Sequence, residues 1–262
     1  MPAPLKLLCL HGVGHQQLTP AFKERWRAAI LAGLDGLTLD GEDLAANVQL
    51  EFLEYGGVFA EKPSDFNTWR LAFQNLLRGG LRASPERQPP PPGARSAGTP
   101  RGFRDWFDAG RETLQWTAGM VAKWAADPKL RADLRRQLAA ALRGHEPPAL
   151  IAHSLGSLIA YDLLARPATT ALGADRVLVT LGSQINNPFV RDLLGGRLRG
   201  LETRHWFHLY NRHDDAFTAP IAAPLPCFTQ VDTDFNLPGF LDHDAVEYLR
   251  HDRARRAIWN FL

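Results

Sequence analysis

The sequence predicts an α/β fold, a mostly parallel sheet flanked by helices. Two observations carry this. Apolar runs of strand length recur along the chain, and stretches of helical period separate them. The connections are short, with one exception. Strands that alternate with helices pair in parallel, because each crossover returns the chain to the same end of the sheet.

The first run, Leu5 to Leu10, is nearly continuous in apolar residues and ends at His11-Gly12, which reads as a strand buried on both faces. In 19–34, Phe22, Trp26, Ile30 and Leu31 recur at helical spacing behind a Thr19-Pro20 start. Residues 48–55 alternate, with Val48, Leu50 and Phe52 on one side. Leu130, Leu134, Leu138 and Leu142 make one stripe of a helix over 130–143, stopped by Pro147-Pro148. Then come a strand at 149–153, a helix at 155–165 and a strand at 176–182. Residues 204–210 and 227–231 are further strands, and 243–261 a closing helix.

The whole chain, 1–262, reads as one domain. The long connection, 56–127, is an insert within it. Its middle, 78–104, is rich in Pro, Gly and Arg, with Pro89 to Pro92 in a row, and reads as a flexible loop. Its flanks carry Phe66, Trp69, Phe73, Leu76 and Leu77, then Phe103, Trp106, Phe107, Trp116 and Trp124, which suits apolar-faced helices. These aromatics either line the underside of a cover or pack the insert against the core.

Composition excludes several classes. At 45% hydrophobic and 22% charged residues, the chain is neither disordered nor a coiled coil. Thirty basic residues against 28 acidic ones leave a net charge of +2, and no basic-aromatic motif points to nucleic acid. Arg78, Arg82, Arg87, Arg95, Arg101 and Arg104 against Glu86 make the insert basic, which allows either a solvated loop or weak contact with an anionic membrane surface. The two cysteines, Cys9 and Cys227, are far apart and form no disulfide framework, and each reads as a small buried hydrophobe. There is no secretory leader pattern, and no run approaches the roughly 18 apolar residues of a membrane helix. The expected setting is soluble, reducing and cytoplasmic.

Two motifs carry chemistry. Ala152-His153-Ser154-Leu155-Gly156 follows a strand and opens a helix. A serine on such a tight turn needs small neighbours two before and two after it, and Ala152 and Gly156 supply them. The turn lifts the hydroxyl off the strand end and aims the first free helix amides, Leu155 first, at an oxygen on the attacked carbon. The alternative is that Ser154 merely caps the helix. The second motif, His11-Gly12-Val13-Gly14, ends the first strand. Its glycines let the backbone approach a ligand, so the amides of Val13 and Gly12 are candidates to complete an oxyanion hole with Leu155. His11 and His15 are spaced for a metal only on a helix, which the glycines oppose, so no metal is expected. The plain alternative is a tight turn with a packing histidine.

With these motifs the chain resembles the α/β-hydrolase fold, in particular the serine esterases and lipases with an HGxG loop after the first strand. The resemblance covers 5–55 and 130–262 and leaves the insert unassigned. It departs at Ala152, where the family more often has glycine. The family order is nucleophile, acid, base. Ser154 matches the nucleophile. The segment Asn211-Arg212-His213-Asp214-Asp215-Ala216 is similar to the family's Asn-x-x-Asp-x-Val, with Ala for Val, and this register points to Asp214, with Asp215 its open alternative. His243, ahead of the closing helix with Tyr248, matches the late histidine, and His251 is its nearest rival. His11, Gly12, Gly14 and His153 would line the substrate pocket. Ser183 ends a strand without a helix-opening turn and reads as a contact near the pocket. The implied activity is hydrolysis of a hydrophobic carboxylic ester through an acyl-enzyme, without cofactor, the insert acting as a lid. Thioester or phospholipid cleavage, and a non-catalytic binding role, stay open.

Overall fold

Parallel strands that emerge from alternate apolar runs build one six-stranded sheet in the computed structural model. The structure describes residues 4–12, 18–39, 42–60, 66–83, 111–145, 147–216 and 218–261. The strands are β1 (Leu5–Leu10), β2 (Val48–Phe52), β3 (Ala149–His153), β4 (Val177–Leu181), β5 (His205–Tyr210) and β6 (Phe228–Asp232). They lie in the order β2-β1-β3-β4-β5-β6, and every neighbouring pair is parallel. The predicted α/β class is the observed one. A two-residue antiparallel pair, Thr38–Leu39 with Glu42–Asp43, is too short for any periodic signal and was not expected.

Strand alternation splits the core into two layers. Leu7, Cys9, Ile151, Val179 and Leu209 point to one face, with Trp26 and Ile30 of α1 (Pro20–Leu34) and Tyr248 and Ile258 from the C-terminal segment. Leu8, Leu10, Leu150, Ala152 and Leu178 point to the other. That face carries α2 (Gly56–Ala60), α3 (Phe66–Ala83), α4 (Arg111–Ala126), α5 (Pro128–His145) and α6 (Leu155–Leu164). A short α7 (Pro188–Leu193) packs beside α3. Burial on both faces is why β3 and β4 read as continuous apolar runs.

The strand order places the site. From β1 the chain moves outward to β2, and from β3 it moves the opposite way to β4. The loops leaving β1 and β3 therefore diverge and open a crevice at the carboxyl end of the sheet. Register aligns that end, since Leu10 pairs with Ala152, His153 with Leu181, and Leu181 with Leu209. The residues just past the strand ends (His11-Gly12, Ser154, Gly182 and Asn211) share one rim.

Gly156 is what lets α6 start against β1. A Cβ there would lie 2.7 Å from the Leu10 carbonyl oxygen and 2.9 Å from that of His11. The obstacle is backbone, which cannot rotate away. Gly156→Ala is expected to destabilise the fold by about 1–3 kcal/mol, read as a lower urea midpoint at unchanged slope.

Several boundaries differ from the sequence reading, each for a local reason. Residues 78–83 belong to α3 and not to a loop; the remainder of the expected loop, 84–104, lies outside the described residues. Gly79 serves a close approach there, because a Cβ would lie 2.2 Å from Asn187 Oδ1, and Asn187 Nδ2 donates to the Leu76 carbonyl at 3.1 Å. Leu76 and Trp124 are each about 1% exposed in the core, and Phe73 packs against them, so these three pack the segment onto the core. Phe103, Trp106 and Phe107 lie outside the described residues. β2 stops at Phe52, and Tyr55 instead stacks on His11 at 4.7 Å. β6 starts after Cys227, which takes φ 48° and is exposed, not buried, while Cys9 is buried as expected.

The closing helix is not continuous. A 3-10 turn (Gly239–His243) leads to α8 (Ala245–Arg250), then α9 (Asp252–Ile258) and a last 3-10 turn. His251 is extended between the helices, and its Nδ1 accepts from the Arg253 amide at 3.2 Å, capping α9. Without glycine or proline at the break, periodicity could not locate it. Among the described residues no helix is long and apolar enough to cross a membrane.

Candidate active site

The turn between β3 and α6 sets the serine. Ser154 takes φ 52° and ψ −123°, a conformation that costs a non-glycine residue about 1–3 kcal/mol. Its amide donates to the Leu181 carbonyl at 3.0 Å, and its carbonyl accepts from the Ser157 amide at 2.9 Å. Its hydroxyl makes no helix-capping bond, which removes the capping alternative. The hydroxyl instead lies 3.0 Å from His243 Nε2.

His243 is held from both sides. Its Nδ1 lies 2.8 Å from Asp214 Oδ2, so in the tautomer this network selects, Nδ1–H donates to the carboxylate and Nε2 accepts from Ser154. Its backbone carbonyl lies 2.8 Å from His153 Nε2, and the two rings sit 4.6 Å apart. Gly182, at φ 53°, leaves the space for both rings, since a Cβ there would come within 3.1 Å of each. His153 thus braces the histidine loop as well as flanking Ser154.

The carboxylate that meets His243 is that of Asp214, in the turn after β5; Asp215 is half-buried beside it. Asp214 is fully buried. Its Oδ1 accepts from the Ala216 amide at 2.9 Å, and its Oδ2 also accepts from the Tyr248 hydroxyl at 2.5 Å. The neighbouring Asp242 has its carboxyl pushed above the usual range, first by burial and then by the charges of Asp214 and Asp215, while the Leu237 amide opposes this.

Gly12 closes the crevice from β1. A Cβ there would lie 2.7 Å from both His153 Nδ1 and Ser154 Cβ, so only glycine lets this loop touch the serine turn. His11 is buried and stacked on Tyr55, whose hydroxyl donates to the His11 carbonyl. Val13 and Gly14 lie outside the described residues, as does His15. Leu155 opens α6, where first-turn amides have no partner within the helix. No protein-family model, curated protein or solved structure matches the chain.

The rival residues have other partners. The Ser183 hydroxyl accepts from Ser157 Oγ at 2.6 Å and from the Ile185 amide at 3.2 Å, which ties α6 to the end of β4. His251 caps α9. His205 pairs with Thr229, and His213 lies 3.2 Å from Asp234. Sequence reasoning missed the contact of Tyr248 with Asp214, the His153 brace and the room left by Gly182. A signal existed for Tyr248: Ala245, Tyr248 and Leu249 form the buried side of α8, and a buried tyrosine needs a partner for its hydroxyl.

Proposed function

We propose that the chain is a serine hydrolase of the α/β-hydrolase type that cleaves carboxylic esters through an acyl-enzyme on Ser154. One observation carries the reading: the unbroken path from Ser154 Oγ to His243 Nε2 and from His243 Nδ1 to Asp214 Oδ2, at 3.0 and 2.8 Å. A nucleophile, a base within hydrogen-bond reach and a group that orients the base are what acyl transfer needs.

In this reading the Ser154 oxygen attacks the ester carbonyl while His243 Nε2 takes its proton. The carbonyl oxygen becomes negative, and the amide of Leu155, in the first turn of α6 where amides have no partner within the helix, would stabilise it. Asp214 stabilises the imidazolium. His243 then gives the proton to the departing alcohol as the C–O bond breaks, which leaves acyl-Ser154. Water, deprotonated by the same histidine, releases the acid and restores the serine. These steps use no cofactor.

A fluorophosphonate probe is expected to label the wild-type protein at Ser154, and Ser154→Ala is expected to lose the label. Labelling that persists in Ser154→Ala would overturn the assignment. A series of p-nitrophenyl esters, set against acyl thioesters and phospholipids, reads the substrate class.

A further inference from the structure

The Asp214 carboxylate has a donor that the serine–histidine–aspartate relay does not require. Tyr248 is fully buried on α8, and its hydroxyl lies 2.5 Å from Asp214 Oδ2, the same oxygen that meets His243 Nδ1. A separation this short is typical of an O–H donated to an ionised oxygen. The Ala216 amide meets the other oxygen at 2.9 Å. Around a carboxylate shielded from water, these donors replace the solvation that its charge needs. Two of them, on different oxygens, also fix the rotation of the carboxyl group, which one contact to His243 would leave free.

Tyr248 itself is held in place. Its ring packs edge-on against Phe235 at 5.1 Å, and α8 is capped by Asp244, whose Oδ1 accepts from the Val246 amide at 3.0 Å. The helix after the histidine loop thus reaches back to the acid, 34 residues earlier in the chain. We infer that Tyr248 is a positioning residue of the site: its hydroxyl orients the Asp214 carboxylate so that Oδ2 stays aligned with His243 Nδ1. The inference rests on the hydrolase reading for its effect on turnover, but not for its effect on the Asp214–His243 hydrogen bond.

Tyr248→Phe keeps the ring and removes the donor. On a p-nitrophenyl ester it is expected to lower kcat about tenfold with KM nearly unchanged. In an Asp214→Asn background the same change is expected to have no further effect, because the oriented charge is already gone. A loss of the same size in both backgrounds, or a kcat within about twofold of wild type, would overturn the inference. A second measurement needs no turnover. The far-downfield proton resonance of His243 Nδ1–H is expected to shift in Tyr248→Phe, and an unmoved resonance would overturn the inference. Should Tyr248→Phe not fold, fluorinated tyrosine at 248 keeps the packing and strengthens the donor, and the same resonance is read. Loss of Ser154 labelling specificity with a shifted resonance would remove the hydrolase reading and leave Tyr248 in its positioning role.

Discussion

His243→Ala is expected to lower kcat on a p-nitrophenyl ester by roughly 10⁴–10⁶-fold, the largest effect of any single substitution apart from Ser154 itself. In the proposed mechanism, the serine hydroxyl keeps its proton without His243, and the leaving group has no acid. Asp214→Asn is expected to fall in the lower part of that range, since it leaves the imidazole in place but favours the wrong tautomer. The double variant Ser154→Ala/His243→Ala should be scarcely worse than either single one, because the residues act as a unit. Steady-state kinetics on the folded variants measure all three. A loss below about tenfold for His243→Ala would mean that another base serves Ser154.

The second large effect concerns stability and pH. His208 is fully buried in β5, and burial pushes its pKa down from 6.5 to about 4. The Thr180 hydroxyl lies 2.9 Å from its Nδ1 and itself accepts from Trp206 Nε1 at 2.8 Å. This polar chain suits a neutral imidazole. As pH falls through 6.5 the unfolded chain takes up a proton that the folded chain refuses, so stability drops with falling pH. The loss stops once the folded histidine also titrates, near pH 4, by which point it amounts to about 3 kcal/mol. Urea unfolding near pH 7 and near pH 4.5 reads most of this in the wild type. His208→Gln should be less stable near neutrality but show a shallower acid decline. An equal decline in both proteins would assign the acid sensitivity to other groups.

How much of the fold and site was legible depends on whether the information is local. Ser154, Asp214 and His243 each sit just beyond an apolar run or just before a helix. Alternating topology sends such positions to one rim of the sheet, so their proximity could be argued from the order of elements alone. The choice between Asp214 and Asp215 could not, because adjacent carboxylates differ only in which way the turn points them. The break at His251 was hidden for a similar reason. A histidine cap leaves no mark in a pattern otherwise apolar at helical spacing. Gly79 misled in the opposite direction: a glycine beside Pro- and Arg-rich sequence reads as a loop, yet here it admits the side chain of Asn187. Tyr248 reaches Asp214 only through tertiary folding, as does His153 its carbonyl on the histidine loop. Such contacts join residues whose sequence separation carries no pattern at all.

The positive-φ backbone of Ser154 sets folding against the proposed chemistry at a single position. Glycine occupies that region without penalty, and it is the residue that a search for greater stability would choose at 154. Such a chain would fold at least as well and have no hydroxyl to offer. Selection on folding alone would therefore favour glycine here, so the strain at this position is the cost of keeping the hydroxyl that the proposed reaction uses.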